Sequence, residues 1–256
     1  MKIEGSVVVV SGGASGLGEA TCRHLLDLNA EAVVTLDANA ERGAALASEL
    51  GSRFLYQQAD ISDHKQVEEI VGQIASEFGA IHIVVNAAAI AAPAKLLGRS
   101  GPIAMDVFDR GIKVNLYGPL HVMRSTAAVM ADNKPNVDGE RGVIVNVASG
   151  AAWEGQVGQV AYSASKAALV GLTMPLSREL SSHGVRVMTI APGAFDTPMY
   201  EQVPPAVKEG LTDQSLFPKR MGHPPEFAFL VQEIVRNPMH NGRTIRLDAG
   251  VILPPS

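Results

Sequence analysis

The sequence predicts an α/β fold in which a doubly wound parallel sheet of about seven strands is covered by helices on both faces. Short runs rich in valine and isoleucine alternate along the chain with longer segments of helical periodicity. The runs are almost continuously apolar, which is typical of parallel strands that are buried on both faces. No low-complexity linker interrupts the alternation, so we expect residues 1–256 to form a single domain.

Strands are predicted wherever an apolar run is bounded by turn residues, at 6–11, 32–36, 53–58, 81–86, 142–147, 185–190 and 244–247. Helices are predicted from apolar residues that recur with helical spacing, at 16–29, 39–50, 63–78, 103–131, 160–182 and 225–236. The segment from about 195 to 226 is long and rich in proline, methionine and aromatic residues. Because it follows the carboxyl end of a strand, we expect it to form a substrate loop.

The composition argues against several classes of protein. A net charge of −5 is not that of a sequence-independent nucleic-acid binder. The only cysteine, Cys22, can form no internal disulfide, and we expect it to be a buried structural thiol. The seven histidines lack metal-ligand spacing, so no metal site is predicted. The sequence shows no signal peptide and no apolar run of about 18 residues, so we expect a cytoplasmic protein without a membrane segment.

A glycine-rich segment follows the first predicted strand and opens the first predicted helix. Gly12, Gly16 and Gly18 allow a tight turn and let backbone N–H groups approach a pyrophosphate at the helix N-terminus. A plain glycine-rich turn is the alternative, but the position between a strand and a helix favours dinucleotide binding. Ser15 and Leu17, in the same segment, are further candidate cofactor contacts.

Residues at the ends of the next three strands extend this predicted cofactor site. Asp37 lies 19 residues beyond Gly18, where a carboxylate accepts hydrogen bonds from the adenosine ribose of NAD(H) and repels the 2′-phosphate of NADP(H). Asp60 is a candidate partner of the adenine amino group, with Ile61 beneath the ring; a helix-capping role is the alternative for Asp60. Small residues at the end of the fourth strand let the backbone pass close to the cofactor, at Asn86, Ala87 and Ala88.

Tyr162 and Lys166 are one helical turn apart in a segment of alanines and serines. A lysine cation beside a phenol favours the phenolate and lowers its pKa, which makes Tyr162 a candidate general acid and base. Ser149 ends the fifth predicted strand, where its hydroxyl can hydrogen-bond a substrate oxygen. Asn115 lies in a predicted helix although asparagine is a poor helix former. Each of these residues alone also has an ordinary structural explanation.

In combination, these motifs resemble the short-chain dehydrogenase/reductase family over essentially the whole chain, including its Rossmann-type fold. The resemblance implies that Tyr162 exchanges a proton with an alcohol or carbonyl oxygen while a hydride passes between the substrate and NAD(H). Lys166 is then expected to lower the pKa of the tyrosine and to hold the nicotinamide ribose. Ser149 is expected to hold the substrate oxygen, and Asn115 to keep a water in a proton relay behind the lysine.

Three longer segments narrow the resemblance to the short-chain 3-hydroxyacyl-CoA dehydrogenases, also known as type-10 17β-hydroxysteroid dehydrogenases: 12–18, 141–173 and 186–199. This resemblance implies that Pro192 and Gly193, with the backbone near Phe195 and Thr197, close over the nicotinamide carboxamide. It also implies that Gln156 lines the substrate pocket, although a solvent-facing loop glutamine is the alternative. A homotetramer is expected on the same ground.

The sequence departs from the family pattern at three positions. Ala89 stands where glycine is common, so a methyl group must fit beside the cofactor. Ser11 replaces a threonine before the glycine segment, which keeps the hydroxyl. Trp153 stands where phenylalanine is usual, and we expect it to be a buried structural residue; a larger ring that narrows the pocket is the alternative.

Three functions remain open at this stage. The first is an NAD-dependent 3-hydroxyacyl-CoA dehydrogenase, and the second is a broader secondary-alcohol or hydroxysteroid dehydrogenase with the same residues. The third is a non-catalytic scaffold that uses the fold for binding. Lys208, Lys219 and Arg220 are candidate contacts for the phosphates of CoA, but exposed loop bases are usually solvated. The apolar residues of the predicted substrate loop suit an acyl chain or a steroid and equally suit core packing.

Overall fold

A computed structural model of the chain describes residues 1–99, 101–200, 210 and 212–253, and the account below concerns these residues. Seven parallel strands form one sheet in the order β3-β2-β1-β4-β7-β8-β9. These strands are β1 (Val7–Ser11), β2 (Ala32–Asp37), β3 (Phe54–Gln58), β4 (Ile83–Asn86), β7 (Gly142–Val147), β8 (Val185–Pro192) and β9 (Thr244–Leu247). Two further short strands, β5 (Leu97–Gly98) and β6 (Gly101–Pro102), pair with each other in antiparallel fashion.

The helices cover both faces of the sheet, so the predicted doubly wound α/β fold is confirmed. They are α1 (Gly16–Asp27), α2 (Ala40–Leu50), α3 (His64–Phe78), α4 (Met105–Ile112), α5 (Gly118–Ala131), α6 (Val160–Ser181) and α7 (Pro224–Arg236). The strand order reverses between β1 and β4, which is the topological switch point where open α/β sheets bind ligands. None of the described helices is long and apolar enough to span a bilayer.

The continuous apolar run of β1 reflects two cores, one on each side of the sheet. Val8 and Val10 belong to the core that includes residues of α1 and α7. Val7 and Val9 belong to the opposite core, which includes residues of α3 and α5. Because successive side chains of a strand point to opposite faces, both sets must be apolar. Cys22 lies in the first core and is fully buried as predicted, and burial raises the pKa of its thiol.

The structure at the N-terminus of α3 bears on the helix-capping alternative for Asp60. The carboxylate of Asp63 caps this helix, because its Oδ1 accepts hydrogen bonds from the N–H groups of Lys65 and Gln66 at 3.0 and 3.4 Å. Asp60 instead accepts hydrogen bonds from the N–H and the hydroxyl of Ser62. The helix-capping alternative for Asp60 is therefore wrong, because the helix begins three residues later than that alternative requires.

The helix predicted over 103–131 is not one regular helix. Between α4 and α5 the chain makes a π turn over Lys113–Tyr117. Asn115, at the centre of this turn, is fully buried, and its amide makes two hydrogen bonds to the backbone of Ile90. We infer that this long-range contact favours the π turn over a regular α-helical turn.

The segment predicted to be a substrate loop begins with a parallel bridge between Phe195 and Gly222. A short 3₁₀ helix at Pro198–Tyr200 follows, and α7 begins at Pro224. Residues 201–209 and 211 of this segment, with the candidate base Lys208, lie outside the described residues. The other two candidate bases have protein partners, since Lys219 donates to the carbonyl of Asp213 and Arg220 pairs with Glu226.

Trp153 is not buried, so that prediction is wrong. Half of its surface is exposed, and the guanidinium of Arg246 lies over its ring, 5.5 Å from the ring centroid. Trp153 directly follows the short 3₁₀ helix Gly150–Ala152, and Arg246, which covers its ring, lies in β9.

Candidate active site

A cavity of about 700 Å³ opens at the carboxyl edge of the sheet. Parallel strands end there together, so the residues that follow β1, β2, β4, β7 and β8 meet at one place. The cavity lies within the size range typical of sites for small molecules and cofactors. The predicted site residues that line it are Gly12, Ser15, Gly16, Leu17, Gly18, Asp37, Asp60, Ile61, Ala87, Ala88, Ser149, Tyr162, Lys166, Pro192, Gly193, Phe195 and Thr197.

The glycine segment has no room for side chains at two positions. A Cβ atom at Gly12 would lie 2.6 Å from the backbone of Ala88, and the φ angle of Gly12 is +75°. A Cβ atom at Gly18 would lie 2.0 Å from the carbonyl oxygen of Gly12. These contacts hold the segment close against β4 at the N-terminus of α1, where backbone N–H groups and the helix dipole favour an anion.

Asp37 joins the end of β2 to the glycine segment. Its Oδ2 accepts a hydrogen bond from the N–H of Ala14 at 3.0 Å, and its Oδ1 accepts one from the N–H of Asn39 at 2.9 Å. A carboxylate has about four acceptor positions, so it can receive ligand hydroxyl groups in addition. The aspartate therefore anchors the glycine segment and also places a negative charge on the cavity wall.

Among the described residues, those directly after β4 line the cavity, whereas Asn86 at the end of the strand does not. Ala89 lines the wall beside Ala87 and Ala88, so the family departure at this position does not close the cavity. Asn86 is buried beneath the cavity and is not among its lining residues in the described chain. Its amide donates to Oδ1 of Asn146 at 2.9 Å and accepts from the hydroxyl of Ser11 at 3.3 Å, which links β1, β4 and β7.

Lys166 is held by burial and by one backbone hydrogen bond. Its Nζ donates to the carbonyl of Val147 at 2.7 Å and lies 5.6 Å from the centroid of the Tyr162 ring. Because the surroundings exclude water, burial lowers the pKa of Lys166 to about 8. Both side chains reach the cavity from α6. The Ser149 hydroxyl is oriented by the N–H of Ala151, from which it accepts a hydrogen bond at 3.2 Å.

Two predicted site residues, Asn115 and Gln156, are not among the described residues that line the cavity. The Oδ1 of Asn115 accepts from the N–H of Ile90, and its Nδ2 donates to the Ile90 carbonyl, both at 2.8 Å. Asn115 therefore holds Ile90, which does line the cavity. Gln156 is also absent from the described lining, and its N–H donates to the side chain of Gln159. Gln156 is half-buried, and its Oε1 accepts a hydrogen bond from Nε2 of Gln159 at 3.4 Å, so its contact with the substrate stays a prediction.

Several lining residues were not predicted from the sequence. They include a charged face of α4 and the π turn, made of Asp106, Asp109, Arg110 and Lys113. Their spacing of three, four and seven residues is that of one helical face, which is the signal that could have identified them. Leu36, Ala38, Ala59, Ser62, Val114, Val147, Ala148, Pro198 and Met199 also line the cavity. In the described part of the chain, no group of three or more histidine, cysteine, aspartate or glutamate residues is placed to hold a metal ion.

Comparison with known proteins gives consistent results. Residues 6–208 match the family model described as short chain dehydrogenase. The chain is 44% identical to the human (Homo sapiens) 3-hydroxyacyl-CoA dehydrogenase type-2, over 99% of this chain and 98% of the relative. It is 32% identical to an ipsdienol dehydrogenase of Ips pini, over 98% of each chain. The crystal structure of 3-hydroxyacyl-CoA dehydrogenase type-2 from Mycobacterium avium superposes over 100% of both chains with a TM-score of 0.93 and 38% identity.

Proposed function

The chain belongs to the short chain dehydrogenase family, and from this membership we propose that it interconverts a 3-hydroxyacyl-CoA and a 3-oxoacyl-CoA with NAD(H) as the cofactor. The protein is an oxidoreductase that acts on a CH–OH group, and members of its family use a nicotinamide cofactor. The substrate class rests on the printed names of the relatives, which share over 40% of their residues with this chain. Because the chain is an enzyme, the alternative of a non-catalytic scaffold is wrong.

The residues of the cavity fit a dinucleotide. A Cβ atom would collide with backbone at Gly12 and Gly18, as expected where backbone must come close to a pyrophosphate. Gly12, Ser15, Gly16, Leu17 and Gly18 would hold the pyrophosphate. The nicotinamide ring, when bound, supplies or accepts the hydride.

The choice of NAD(H) over NADP(H) rests on Asp37. The Asp37 carboxylate would accept hydrogen bonds from the hydroxyls of the adenosine ribose and would repel a 2′-phosphate. Asp60 and Ile61 line the same wall at the end of β3, where the adenine would lie. Ala87 and Ala88 would pass beneath the cofactor, and Pro192, Gly193, Phe195 and Thr197 would hold its nicotinamide end.

Three side chains would carry the proton chemistry. In the direction of ketone reduction, the Tyr162 hydroxyl donates its proton to the carbonyl oxygen as that oxygen becomes negative. The Lys166 ammonium, 5.6 Å from the tyrosine ring, stabilises the resulting phenolate electrostatically. The Ser149 hydroxyl donates a hydrogen bond to the same substrate oxygen. The observation that carries the proposal is that these three residues face one cavity with the glycine segment and Asp37.

A second candidate is a dehydrogenase of other apolar secondary alcohols, including hydroxysteroids. It is favoured by the ipsdienol dehydrogenase among the relatives and by exposed apolar side chains, which are Met199 in the cavity lining and Leu216 and Phe217 outside it. Such side chains suit any apolar substrate, so they do not separate an acyl chain from a terpene or steroid skeleton.

The test is NADH oxidation by the purified protein with acetoacetyl-CoA, run beside NADPH and beside a steroid ketone. We expect turnover with acetoacetyl-CoA and NADH, with NADPH much less effective. Turnover of the steroid or of simple ketones without acetoacetyl-CoA would move the assignment to the second candidate. Equal use of NADPH would contradict the role given to Asp37.

Two further properties are also proposed, the first of them on the ground of family resemblance alone. The protein is expected to form a homotetramer, which sedimentation equilibrium would measure. It is also expected to reside in the cytoplasm, which cell fractionation would test.

A further inference from the structure

The end of β9 and the residues that follow it contact three different walls of the active site. The carbonyl of Leu247 accepts a hydrogen bond from the N–H of Gly193, beside the proposed nicotinamide position. The carbonyl of Ala249 accepts one from the N–H of Leu216, in the predicted substrate loop. Arg246 contacts the third wall, which is the segment between Ser149 and Glu154. Displacement of this segment would therefore affect all three walls.

The third contact is a two-pronged ion pair. The Nη1 and Nη2 atoms of Arg246 donate to Oε1 and Oε2 of Glu154 at 2.7 and 3.1 Å. The Oε2 of Glu154 also accepts from the N–H of Leu253 at 3.1 Å. This arrangement, the Glu154–Arg246 clamp, joins the segment after β7 to β9 and the residues that follow it, although Glu154 and Arg246 are 92 positions apart.

Arg246 makes two further hydrogen bonds. Its Nε donates to Oδ2 of Asp248, and its Nη2 donates to the carbonyl of Val251 at 2.7 Å. Its guanidinium covers one face of Trp153, at a distance that allows a cation–π contact. The arginine nearby lowers the pKa of Glu154, so the carboxylate stays ionised at neutral pH. The clamp is thus a fixed geometry rather than a loose surface pair.

The position of the clamp connects it to Ser149. Only one 3₁₀ turn, Gly150–Ala152, separates Ser149 from Trp153 and Glu154. That turn is closed by hydrogen bonds from the N–H of Ala152 to the Ser149 carbonyl and from the N–H of Glu154 to the Gly150 carbonyl. Movement of Glu154 would pass along these bonds to the Ser149 hydroxyl. Partly exposed ion pairs contribute little to stability, so geometry is the main consequence of this one.

We propose that the Glu154–Arg246 clamp positions Ser149 for the reaction, with Glu154 and Arg246 as positioning residues that do not touch the substrate. The inference rests on the proposed function, because it takes Ser149 to hold the substrate oxygen. Neither residue lines the cavity in the described chain, which separates their role from direct binding.

The chain offers a direct spectroscopic readout, because Trp153 is its only tryptophan. The test compares Glu154→Ala, Arg246→Ala and the double variant with the unaltered protein. Glu49→Ala is the matched control, because Glu49 of α2 forms a similarly short two-pronged pair with Arg23 of α1, and neither residue lines the described cavity. For each protein we would measure acrylamide quenching of Trp153, the Kd for NADH, and kcat and KM for the ketone.

Loss of the clamp is expected to lower kcat about tenfold or more, as misplacement of a reacting group by a fraction of an ångström does. Quenching of Trp153 should rise in both single variants, including Glu154→Ala, in which the arginine itself is still present. The Kd for NADH should stay within about twofold, a difference of less than 1 kcal/mol. The double variant should be no slower than the slower single variant, because both changes remove the same contact.

Unchanged kcat in both single variants would overturn the proposal, and so would a fall in thermal stability with kcat unchanged well below the melting temperature. If an alanine variant does not fold, Glu154→Gln and Arg246→Lys take its place; each keeps part of the clamp and should show an intermediate kcat. A protein that oxidises NADH with none of the ketones would contradict the proposed function. In that case acrylamide quenching of Trp153 would still test the clamp. Unaltered quenching in the variants would overturn the proposal.

Discussion

Burial determines the charge that Lys166 can carry. The ammonium group is nearly fully buried, and its pKa falls from an ordinary value of 10.5 to about 8. Between these two pH values the unfolded chain binds more protons than the folded protein, so stability should rise with pH across that window. The change corresponds to about 3 kcal/mol for this one group.

Lys166→Met removes this titration. We expect the unfolding free energy of the cofactor-free variant to lack the rise between pH 8 and 10.5 that the unaltered protein shows. Urea unfolding at a series of pH values measures the difference. Lys65→Met, at an exposed position of α3, is the control and should leave the pH dependence as it was. The same rise in both variants would show that Lys166 is not its source.

Tyr162 is expected to carry the proton transfer, and Tyr162→Phe removes only its hydroxyl. We expect kcat to fall by about 10²–10⁴, the usual contribution of general acid–base catalysis. The Kd for NADH, measured by fluorescence, should change little because the ring remains in place. Tyr117→Phe, at a half-exposed ring outside the described cavity lining, should keep full activity. Normal turnover by Tyr162→Phe would remove this residue from the reaction.

At the scale of elements, the junction between β1 and α1 depends on missing side chains. In Gly18→Ala the new Cβ would lie 2.0 Å from the Gly12 carbonyl oxygen, so the loop must move. We expect NADH affinity to fall by about tenfold or more, equivalent to at least about 1.4 kcal/mol. Gly72→Ala is the matched control, because a Cβ there meets open space on α3.

The control variant Gly72→Ala should have an unfolding free energy about 1 kcal/mol higher than that of the unaltered protein, because alanine is a better helix former than glycine. Isothermal titration with NADH and thermal unfolding would compare the two variants. Equal NADH affinity in Gly18→Ala and the unaltered protein would show that the close approach of loop and helix is not needed for binding.

The strands and most helices could be predicted because their signals are local. The inner strands β1, β4, β7 and β8 are near-continuous apolar runs, and this pattern follows directly from burial on both faces. The π turn around Asn115 could not be predicted, because its cause is a pair of hydrogen bonds to Ile90, 25 residues away. The prediction that Trp153 is buried was wrong for the same kind of reason, because its partner Arg246 is remote in sequence.

At the scale of the whole molecule, Arg186 on β8 ties together three separate segments. It is buried and donates to the carbonyls of Ile234 and Val235 at the end of α7 and to that of His240 beyond it. It also pairs with the buried carboxylate of Glu140, which precedes β7. Cations at helix C-termini are favourable, and here the cation also satisfies carbonyls that the helix leaves free.

Arg186→Ala would break the buried ion pair with Glu140 and leave that carboxylate only the N-terminal ammonium of Met1, at 2.8 Å, as a charged partner. We expect a loss of about 3–5 kcal/mol in unfolding free energy, as for other broken buried ion pairs. The comparison is Arg124→Ala, which removes an exposed pair with Glu68 and should cost less than about 1 kcal/mol. Urea unfolding measures both, and equal losses would contradict the importance of burial at Arg186.

The site could be predicted from the sequence as far as its residues lie at strand ends or in motifs. The glycine segment, Asp37, Ser149, Tyr162 and Lys166 all reach the cavity as expected from the carboxyl-edge rule. Asn86 and Asn115 were predicted as site residues but support the site from behind, through contacts that only the folded chain reveals.

The π turn also sets the rotational phase of the two helices that it joins. A π turn holds about one residue more than an α-helical turn, and each α-helical residue accounts for about 100° of rotation. With this offset, α4 directs Asp106, Asp109 and Arg110 to the cavity while α5 buries Val122 and Met130. Deleting a single residue here would rotate one helix by more than a quarter turn and misalign one of the two faces. We therefore expect this stretch to tolerate substitutions far better than changes in length.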